Sequence, residues 1–326
     1  MESENIIFKL KKSNLSGRSG SGFPTWLKWE MVKRAKDDKK YIICNASEGE
    51  PRVFKDSYIL KKYPKEVIEG IKTALDFFEN SQAYIYLRKD YYQKFGSKLK
   101  KFIGQAPIKL VEKVGSYIAG EETALCEVIE GRRAEPRLKP PFPTGQGLFG
   151  FPTLVNNVET FYYINKISNN SYEGKRFYSI EGDVKNKGVF ELPENWSLEK
   201  ILKETKNYPV FDFFTKVGGG ACGEIFLKEE LKNSLCGAGS IIIFKKDKAN
   251  YYKLMKEWIN FFHQGNCDKC VPCREGVFRL KELIEKKKID KELIEDLFFV
   301  LENTSFCALG KSVPVSFRGV LTKLLK

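Results

Sequence analysis

The stretch Cys267-Asp-Lys-Cys270-Val-Pro-Cys273-Arg-Glu-Gly276 decides how the C-terminal part of the chain folds, because it spaces three cysteines three residues apart. A fourth, Cys307, follows much later in the sequence. A C-x₂-C-x₂-C loop can supply three thiolates to a cubane cluster, and a distant cysteine the fourth. Pro272 stiffens the loop, and Gly276 is expected to relieve crowding where the backbone passes the cluster. We therefore predict a 4Fe–4S cluster ligated by Cys267, Cys270, Cys273 and Cys307.

Other sites could use the same cysteines. Structural zinc usually takes its thiolates from two separated C-x₂-C pairs, which fits a triple run less well. Disulfides form only in an oxidising compartment. Radical-SAM enzymes have a C-x₃-C-x₂-C run, which differs from the spacing here.

The composition is that of a globular protein. The 326 residues are 42% hydrophobic and 30% charged, enough for two or three domains with their own cores. No run approaches the ~18 apolar residues of a membrane span, and the N-terminus lacks a secretory signal. The expectation is a cytoplasmic chain without direct membrane insertion, in which reduced thiols favour a cluster over disulfides.

The net charge of +14 raises the question of an acidic partner. Its lysines are scattered along every segment, however, and no nucleic-acid-binding motif is present. The charge pattern therefore indicates no nucleic-acid partner.

The first third of the chain carries ligand-binding signals. Gly17-Arg-Ser-Gly20-Ser-Gly22 is a glycine-rich loop that precedes a helical pattern, an arrangement suited to phosphate. Its spacing differs from the dinucleotide fingerprint, so a plain loop remains an alternative. A strand at Tyr41–Cys44 ends in polar residues, which is where parallel sheets bind ligands.

Helical and extended patterns alternate after that strand. We predict helices over 64–79 and 90–104 and strands over 83–88 and 107–114. A further helix is expected to open at 115–123, with Glu121 and Glu122 in its first turn, and the last helix of this region at 155–160. The fold class is an α/β N-terminal domain with a mostly parallel sheet, over residues 1–168.

The rest of the chain divides into two parts. Residues 169–248 read as a hairpin, a short helix at 197–205 and strands around 214–227 and 239–246. The glycines at 218–220 and 237–239 are interpreted as turns beside strands. Residues 249–326 are predicted to be a helical bundle that brings Cys307 back to the three clustered cysteines.

Seven motifs, in order, resemble the NADH-binding flavoprotein (F-type) subunit of respiratory complex I and the diaphorase subunits of NAD-linked hydrogenases and formate dehydrogenases. They are GRSGSGFPTWLKW, NASEGEPRVFKD, GEETALC, EGRRAEPRLKPPFP, PTLVNNVET, NCDKCVPCREG and SFCALG. The resemblance runs from about residue 13 to the C-terminus and implies a β-grasp (SLBB-like) middle domain with a docking role.

The resemblance also implies site residues. Those around FMN are Gly17, Arg18, Gly20, Lys28, Asn45, Glu48, Tyr117, Gly120, Glu121, Asn156, Asn157 and Thr160. Those that hold NADH are Phe23, Glu50, Glu122, Lys139 and Phe142, with the two aromatic rings on adenine. Glu50, an acceptor for amide or ribose groups, is assigned as the catalytic residue. The departures are Ser47 for an aspartate, Ser19 for a glycine and Met31 for a phenylalanine.

The activity implied by the resemblance is hydride transfer from NAD(H) to FMN, followed by single-electron transfer to the 4Fe–4S cluster. Flavin is required because it accepts a pair of electrons and releases them singly. The expected partners are a thioredoxin-like 2Fe–2S subunit and a larger iron–sulfur or hydrogenase subunit, in a complex that can be peripheral to a membrane. The alternative is a non-catalytic electron-transfer or assembly subunit that keeps the cluster but has lost flavin or NADH binding.

Overall fold

The computed structural model describes residues 6–232, 237–287 and 289–325. The chain separates into two compact units, each made of three segments. The first unit comprises Met1–Gly49, Phe54–Gly115 and Ala119–Phe177, and the second comprises Glu50–Val53, Ser116–Ile118 and Tyr178–Lys326.

The first unit is built on a four-stranded parallel sheet in the order β3-β2-β1-β4. Its strands are β1 (Lys40–Ala46), β2 (Ser81–Leu87), β3 (Ile108–Glu112) and β4 (Thr153–Asn157). Because the chain runs outward from β1 to β3 and then returns to the other side of β1, the strand order reverses between β1 and β4. Ligands of open α/β sheets bind at such a point, beyond the carboxyl ends of the strands.

Eight helices accompany this sheet in the described part of the unit. They are α1 (Ile6–Lys12), α2 (Thr25–Arg34), α3 (Lys55–Lys62), α4 (Pro64–Phe77), α5 (Lys89–Ile103), α6 (Ala124–Ile129), α7 (Pro143–Gln146) and α8 (Val158–Ser168). The α4 and α8 backbones touch, because a Cβ added at Gly70 would overlap the carbonyl of Phe161. One face of the sheet buries Tyr41, Ile43, Tyr84 and Tyr86 against α6.

Two predicted elements of this unit were wrong in detail. Residues 153–157 form strand β4, and the last helix begins only at Val158, with Asn157 as its N-cap. The helix expected from 115–123 begins at Ala124, so Glu121 and Glu122 precede it instead of occupying its first turn. The alternating helices and strands over 64–112 are confirmed within a few residues.

The second unit contains a five-stranded sheet in the order β6-β5-β9-β7-β8, in which β5 pairs parallel with β9 while β7 is antiparallel to β8 and β9. The strands are β5 (Lys175–Gly182), β6 (Gly188–Pro193), β7 (Phe213–Val217), β8 (Glu224–Leu227) and β9 (Ser240–Lys245). One helix, α9 (Leu198–Glu204), covers it and buries Leu198, Ile201 and Leu202. The predicted hairpin, helix and strands of 173–247 are confirmed where the structure describes them.

The same unit ends in four helices, α10 (Tyr251–Gly265), α11 (Val271–Glu285), α12 (Lys291–Thr304) and α13 (Ala308–Lys323). The apolar stripe of α10 is buried in their common core, with Trp258 4% and Phe262 0% exposed. The predicted helical bundle is therefore confirmed.

Within the described ranges, none of the helices combines the length and hydrophobicity that a bilayer crossing requires.

Candidate functional site

The carboxyl ends of β1 and β4 bring three predicted flavin residues together. Asn45 pairs in register with Asn157, and Cys44 with Asn156. The side-chain amide of Asn45 donates to the carbonyl of Gly120 at 2.8 Å. This edge lies at the reversal point of the sheet, where a ligand is expected on topological grounds.

Asn156 is the residue at this edge best suited to bind a ligand. It is 6% exposed, and its side-chain Nδ2 has no hydrogen-bond partner among the described residues. A buried donor without an acceptor costs roughly 1–3 kcal/mol, so such groups in native proteins usually meet a ligand, ion or water. The donor set therefore fits a ligand rich in carbonyl or hydroxyl oxygens, such as a flavin nucleotide.

Asn157 and Glu48, by contrast, are occupied by the protein. Asn157 donates from Nδ2 to Asp56 at 2.7 Å and accepts from the backbone N–H of Glu159 at 2.8 Å. The Glu48 carboxylate accepts from the backbone of Asp56 and from the Tyr91 hydroxyl, at 3.1 and 2.7 Å. These two predicted flavin residues are therefore hydrogen-bonded to other protein groups beside the site.

Burial raises the pKa of Glu48 to about 7 from an ordinary 4.5, and the carboxylate of Asp56 adds to the rise. The folded protein therefore binds this proton more tightly than the unfolded chain does.

The unfolding free energy is expected to fall as pH rises from about 4.5 to about 7, and Glu48→Gln is expected to flatten that slope. Denaturant unfolding at several pH values tests this. An unchanged slope in E48Q would contradict it, and Glu79→Gln on the exposed surface is the control.

The glycine-rich loop runs from Gly17 to Phe23 and is closed by a hydrogen bond from Gly17 N to Phe23 O at 2.9 Å. It is held to α8 by the backbone N–H of Arg18, which donates to Thr160 Oγ1 at 3.2 Å. Gly20 and Gly22 have φ of 106° and 59°, which glycine adopts without strain. The loop is therefore fixed at its base, while residues 19–24 are exposed to a ligand.

The Arg18 guanidinium is turned away from the loop. It is buried, donates to the Tyr172 hydroxyl at 2.9 Å and lies 5.6 Å from the centre of the Tyr163 ring. Arg18 thus anchors the loop from the protein side.

Four further predicted residues form a charged chain in the same unit. Lys28 contacts Glu122 at 3.5 Å and donates to the carbonyl of Val155 on β4 at 3.1 Å. Lys139 bridges Glu121 and Glu122 at 2.7 and 2.9 Å. Burial alone would raise the pKa of Glu122, but the two ammonium groups hold it below its ordinary value.

Glu121 has a structural function within that chain. Its second oxygen accepts from the backbone N–H groups of Thr123 and Ala124 at 2.8 and 3.0 Å, at the start of α6.

Phe23 and Phe142, the rings predicted to stack on adenine, are 37% and 48% exposed. Partly exposed aromatic rings beside paired charges can accept a nucleotide base.

Ser47 stands where the motif predicts an aspartate, and its hydroxyl donates to Asn45 Oδ1 at 2.6 Å. A Cβ added at Gly120 would lie 2.5 Å from that hydroxyl. Ser47 therefore packs directly against Gly120, a position that only glycine can occupy at this distance.

Glu50 and Tyr117 belong to the second unit, where they bind each other. The Tyr117 hydroxyl donates to Glu50 Oε1 at 2.9 Å, and the N–H groups of Ala221 and Cys222 donate to Oε2 at 2.9 and 3.4 Å. Burial, with the Glu50 carboxylate beside it, raises the pKa of Tyr117. The Cys222 side chain is also hydrogen-bonded to Glu50, so the protein fills about four acceptor sites of this carboxylate and fixes its orientation.

The glycines at 218–220 are confirmed as a turn beside a strand, and they also wrap the Glu50 segment. A Cβ at Gly219 would lie 3.0 Å from the Glu50 carboxyl carbon, and one at Gly220 would overlap the carbonyl of Pro51. The same loop is held by Lys216, a residue that the sequence analysis missed. Its buried Nζ donates to Ala221 O at 3.0 Å, and burial lowers the pKa of this group. A lysine within the mostly apolar run Phe213–Val217 was the available signal.

The four cysteines of the predicted cluster lie in one neighbourhood of the bundle. Cys270 and Cys307 are the N-caps of α11 and α13, and Cys273 is in the first turn of α11. Burial raises the pKa of Cys273 to about 12, and the thiols of Cys270, Cys307 and Cys267 add to the rise. A bound metal cluster would reverse this effect, because coordination deprotonates a thiol.

A cubane cluster gives each of its four irons one thiolate, so it separates the cysteines more widely than a single ion does. In residues 6–232, 237–287 and 289–325, no three His, Cys, Asp or Glu side chains are gathered as a single metal ion would need them.

Gly310 packs closely beside Cys273. A Cβ added at Gly310 would lie 3.2 Å from the Cβ of Cys273, so this glycine keeps space open beside a ligand. The prediction for Gly276 is not supported, since a Cβ added there would meet the Leu301 side chain of α12, at 3.1 Å. Gly276 allows two helices to pack.

Comparisons with known proteins match the two regions of the chain that contain these residues. Residues 10–166 match the Nuo51 FMN-binding domain, and residues 253–324 match the NADH-ubiquinone oxidoreductase-F iron-sulfur binding region. An F-type NADH-quinone oxidoreductase subunit of Rhizobium meliloti is 34% identical, over 98% of this chain and 86% of the relative. The F-type NADH-quinone oxidoreductase subunit of Aquifex aeolicus is 33% identical, over 99% and 85%.

Hydrogenase proteins are also similar. The NAD-reducing hydrogenase HoxS subunit alpha of Cupriavidus necator is 32% identical over the whole of this chain. A crystal structure of NAD⁺-reducing [NiFe]-hydrogenase in the H₂-reduced state superposes with a TM-score of 0.90 at 28% identity, over 97% of this chain. The chain spans 60% of the length of each of these two hydrogenase proteins.

Proposed function

Because the chain belongs to the family of F-type NADH-quinone oxidoreductase subunits and related hydrogenase subunits, we propose that it is an NADH-oxidising flavoprotein subunit. One observation carries this proposal: the FMN-binding and the iron–sulfur regions of the family occur in order in a single chain. The enzyme class is NADH:acceptor oxidoreductase.

When bound, FMN takes a pair of electrons from NADH and releases them singly to a 4Fe–4S cluster. The buried amide of Asn156 would donate to a flavin or ribityl oxygen. The N–H groups of residues 19–22 of the loop would receive the phosphate. Lys28, which lies beside Val155 of β4, would balance the negative charge of the flavin nucleotide.

The residues proposed for NADH are aromatic, acidic and basic. Phe23 and Phe142 offer rings to adenine, and Glu122 with Lys139 offers a fixed acceptor and donor for ribose hydroxyls. We assign Glu50, which is oriented by Tyr117 and the N–H of Ala221, to the amide or ribose donors of the nicotinamide half. Its role is to position the substrate, since hydride transfer needs no protein base.

The thiolates of Cys267, Cys270, Cys273 and Cys307 would ligate the cluster. Reduced clusters need an onward acceptor, so the chain would work within a complex. A thioredoxin-like 2Fe–2S subunit and a larger iron–sulfur or hydrogenase subunit are the partners we propose.

We also propose a functional division into an α/β domain over 1–168, a β-grasp domain over 169–248 and an iron–sulfur domain over 249–326. Two observations support this division: the five-stranded sheet with α9 lies within 175–245, and the helical bundle begins at Tyr251.

Asn156→Ala tests the flavin part of the proposal. Loss of one hydrogen bond of about 1–1.4 kcal/mol is expected to weaken FMN binding up to roughly tenfold. Quenching of FMN fluorescence on titration into flavin-depleted protein measures it. Asn169→Ala, on the exposed end of α8, should bind FMN like the wild type. Equal affinity in N156A would remove Asn156 from the flavin site, and no FMN binding by the wild type would refute the flavoprotein function.

A further inference from the structure

Ser305 has a buried hydroxyl with no hydrogen-bond acceptor among the described residues. The residue follows α12, where its backbone N–H caps the helix by donating to Leu301 O at 3.3 Å. Its side chain is 4% exposed, and Oγ has no hydrogen-bond partner in the part of the chain that the structure describes. Because an unsatisfied buried hydroxyl is costly, its retention needs a physical reason.

The position of this hydroxyl supplies one. A Cβ added at Gly310 would lie 2.6 Å from the Cβ of Ser305 and 3.2 Å from the Cβ of Cys273, and it would overlap the Ser305 hydroxyl. The Cβ atoms of Ser305 and Cys273 are therefore no more than about 5.8 Å apart, and both lie beside Gly310. Ser305 thus faces the space around one of the four cysteines.

We propose that the Ser305 hydroxyl donates a hydrogen bond to a sulfur at the Cys273 corner of the 4Fe–4S cluster and raises the reduction potential of that cluster. This inference rests on the proposed function, since it requires the cluster to be present. Thiolate and sulfide atoms only accept, which suits a hydroxyl whose donor is unused. Reduction adds negative charge to the cluster, and a hydrogen-bond donor stabilises the reduced form more than the oxidised one.

A neighbouring hydroxyl offers a matched control. Thr304 is exposed and donates to Val300 O of its own helix at 2.7 Å. Removing that hydroxyl should leave the cluster unaffected, so Thr304→Ala reports any general effect of altering the end of α12.

The test is an EPR-monitored redox titration of the full chain, with iron determined in each sample. Ser305→Ala is expected to keep its cluster and to shift the redox equilibrium up to about tenfold toward the oxidised form, equivalent to about 59 mV lower potential for a one-electron couple. Ser305→Thr is expected to restore a potential near that of the wild type, and T304A to match the wild type.

One further readout and one further pair of variants keep the outcomes distinct. Pulsed EPR in D₂O should detect an exchangeable proton near the wild-type cluster that S305A lacks. If S305A fails to assemble a cluster, Ser305→Thr and Ser305→Val have the same shape and differ only in the hydroxyl, so their potentials make the same comparison.

The Ser305 proposal would be overturned by an intact cluster with the same potential in S305A and the wild type, or with the same potential in the Thr and Val variants. The proposed function would then still stand. Wild-type protein without any 4Fe–4S signal would overturn the proposed function as well.

Discussion

Replacing Cys307 by serine is expected to abolish the four-iron cluster while the fold survives. Serine is a poor ligand for iron in a thiolate cluster, so the fourth corner would be lost. The fold should persist because Cys307 is the N-cap of α13, a position where serine is strongly favoured. The expected readouts are a fall from about four irons per chain and loss of the broad brown absorbance and of the EPR signal of the reduced cluster.

The matched control for this prediction is Cys126→Ser. Cys126 lies in α6 and donates its thiol hydrogen to Glu122 O at 3.3 Å, a bond that serine can also make. C126S should keep the iron content of the wild type. An unchanged iron content and EPR signal in C307S would contradict the assignment of Cys307 as a ligand. About one zinc per chain in the wild type would show that these cysteines bind a structural zinc instead of a cluster.

Lys55→Met is expected to cause the largest loss of stability. The buried Lys55 ammonium lies 2.6 Å from Asp56 and 3.1 Å from Glu159, whose side chains are also buried. Burial alone would lower the pKa of Lys55, but these carboxylates raise it above its ordinary value. Removing the cation leaves two buried carboxylates unpaired, for which a loss of about 3–5 kcal/mol in the unfolding free energy is typical.

Denaturant unfolding at neutral pH measures this loss. Lys62→Met, on the exposed end of the same helix, should change the unfolding free energy by no more than about 0.5 kcal/mol. The deficit of K55M should shrink at acidic pH, where the buried Asp56 carboxylate takes up a proton. Equal stability of K55M and K62M would contradict the role of Lys55 as the buried counter-ion of Asp56 and Glu159.

Local patterns predicted much of the fold. Alternating helices and strands over 64–112 and the apolar stripe of α10 could be read from periodicity alone. The helix predicted from Val155 overlaps the end of strand β4, because Thr153–Asn157 is short, entirely buried and followed directly by a helical pattern. Short buried runs of this kind do not distinguish strand from helix by period.

The sequence predicted which residues form the site but not which hydrogen bonds they make. Motifs placed Asn156 and Asn157 together at the sheet edge, yet only the structure separates the unpartnered amide of Asn156 from the Asn157 amide bound to Asp56. Lys216 and Ser305 could not be found from spacing, since their roles depend on contacts with residues distant in sequence or in another helix.

The most direct test of the central claim is an anaerobic titration of the purified, FMN-supplied protein with NADH, followed by visible absorbance. The account predicts that the structured flavin band bleaches and that the broad iron–sulfur absorbance falls with it, because both cofactors are carried by one chain. A brown protein that binds no FMN and does not respond to NADH would contradict it, and would favour a non-catalytic electron-transfer subunit.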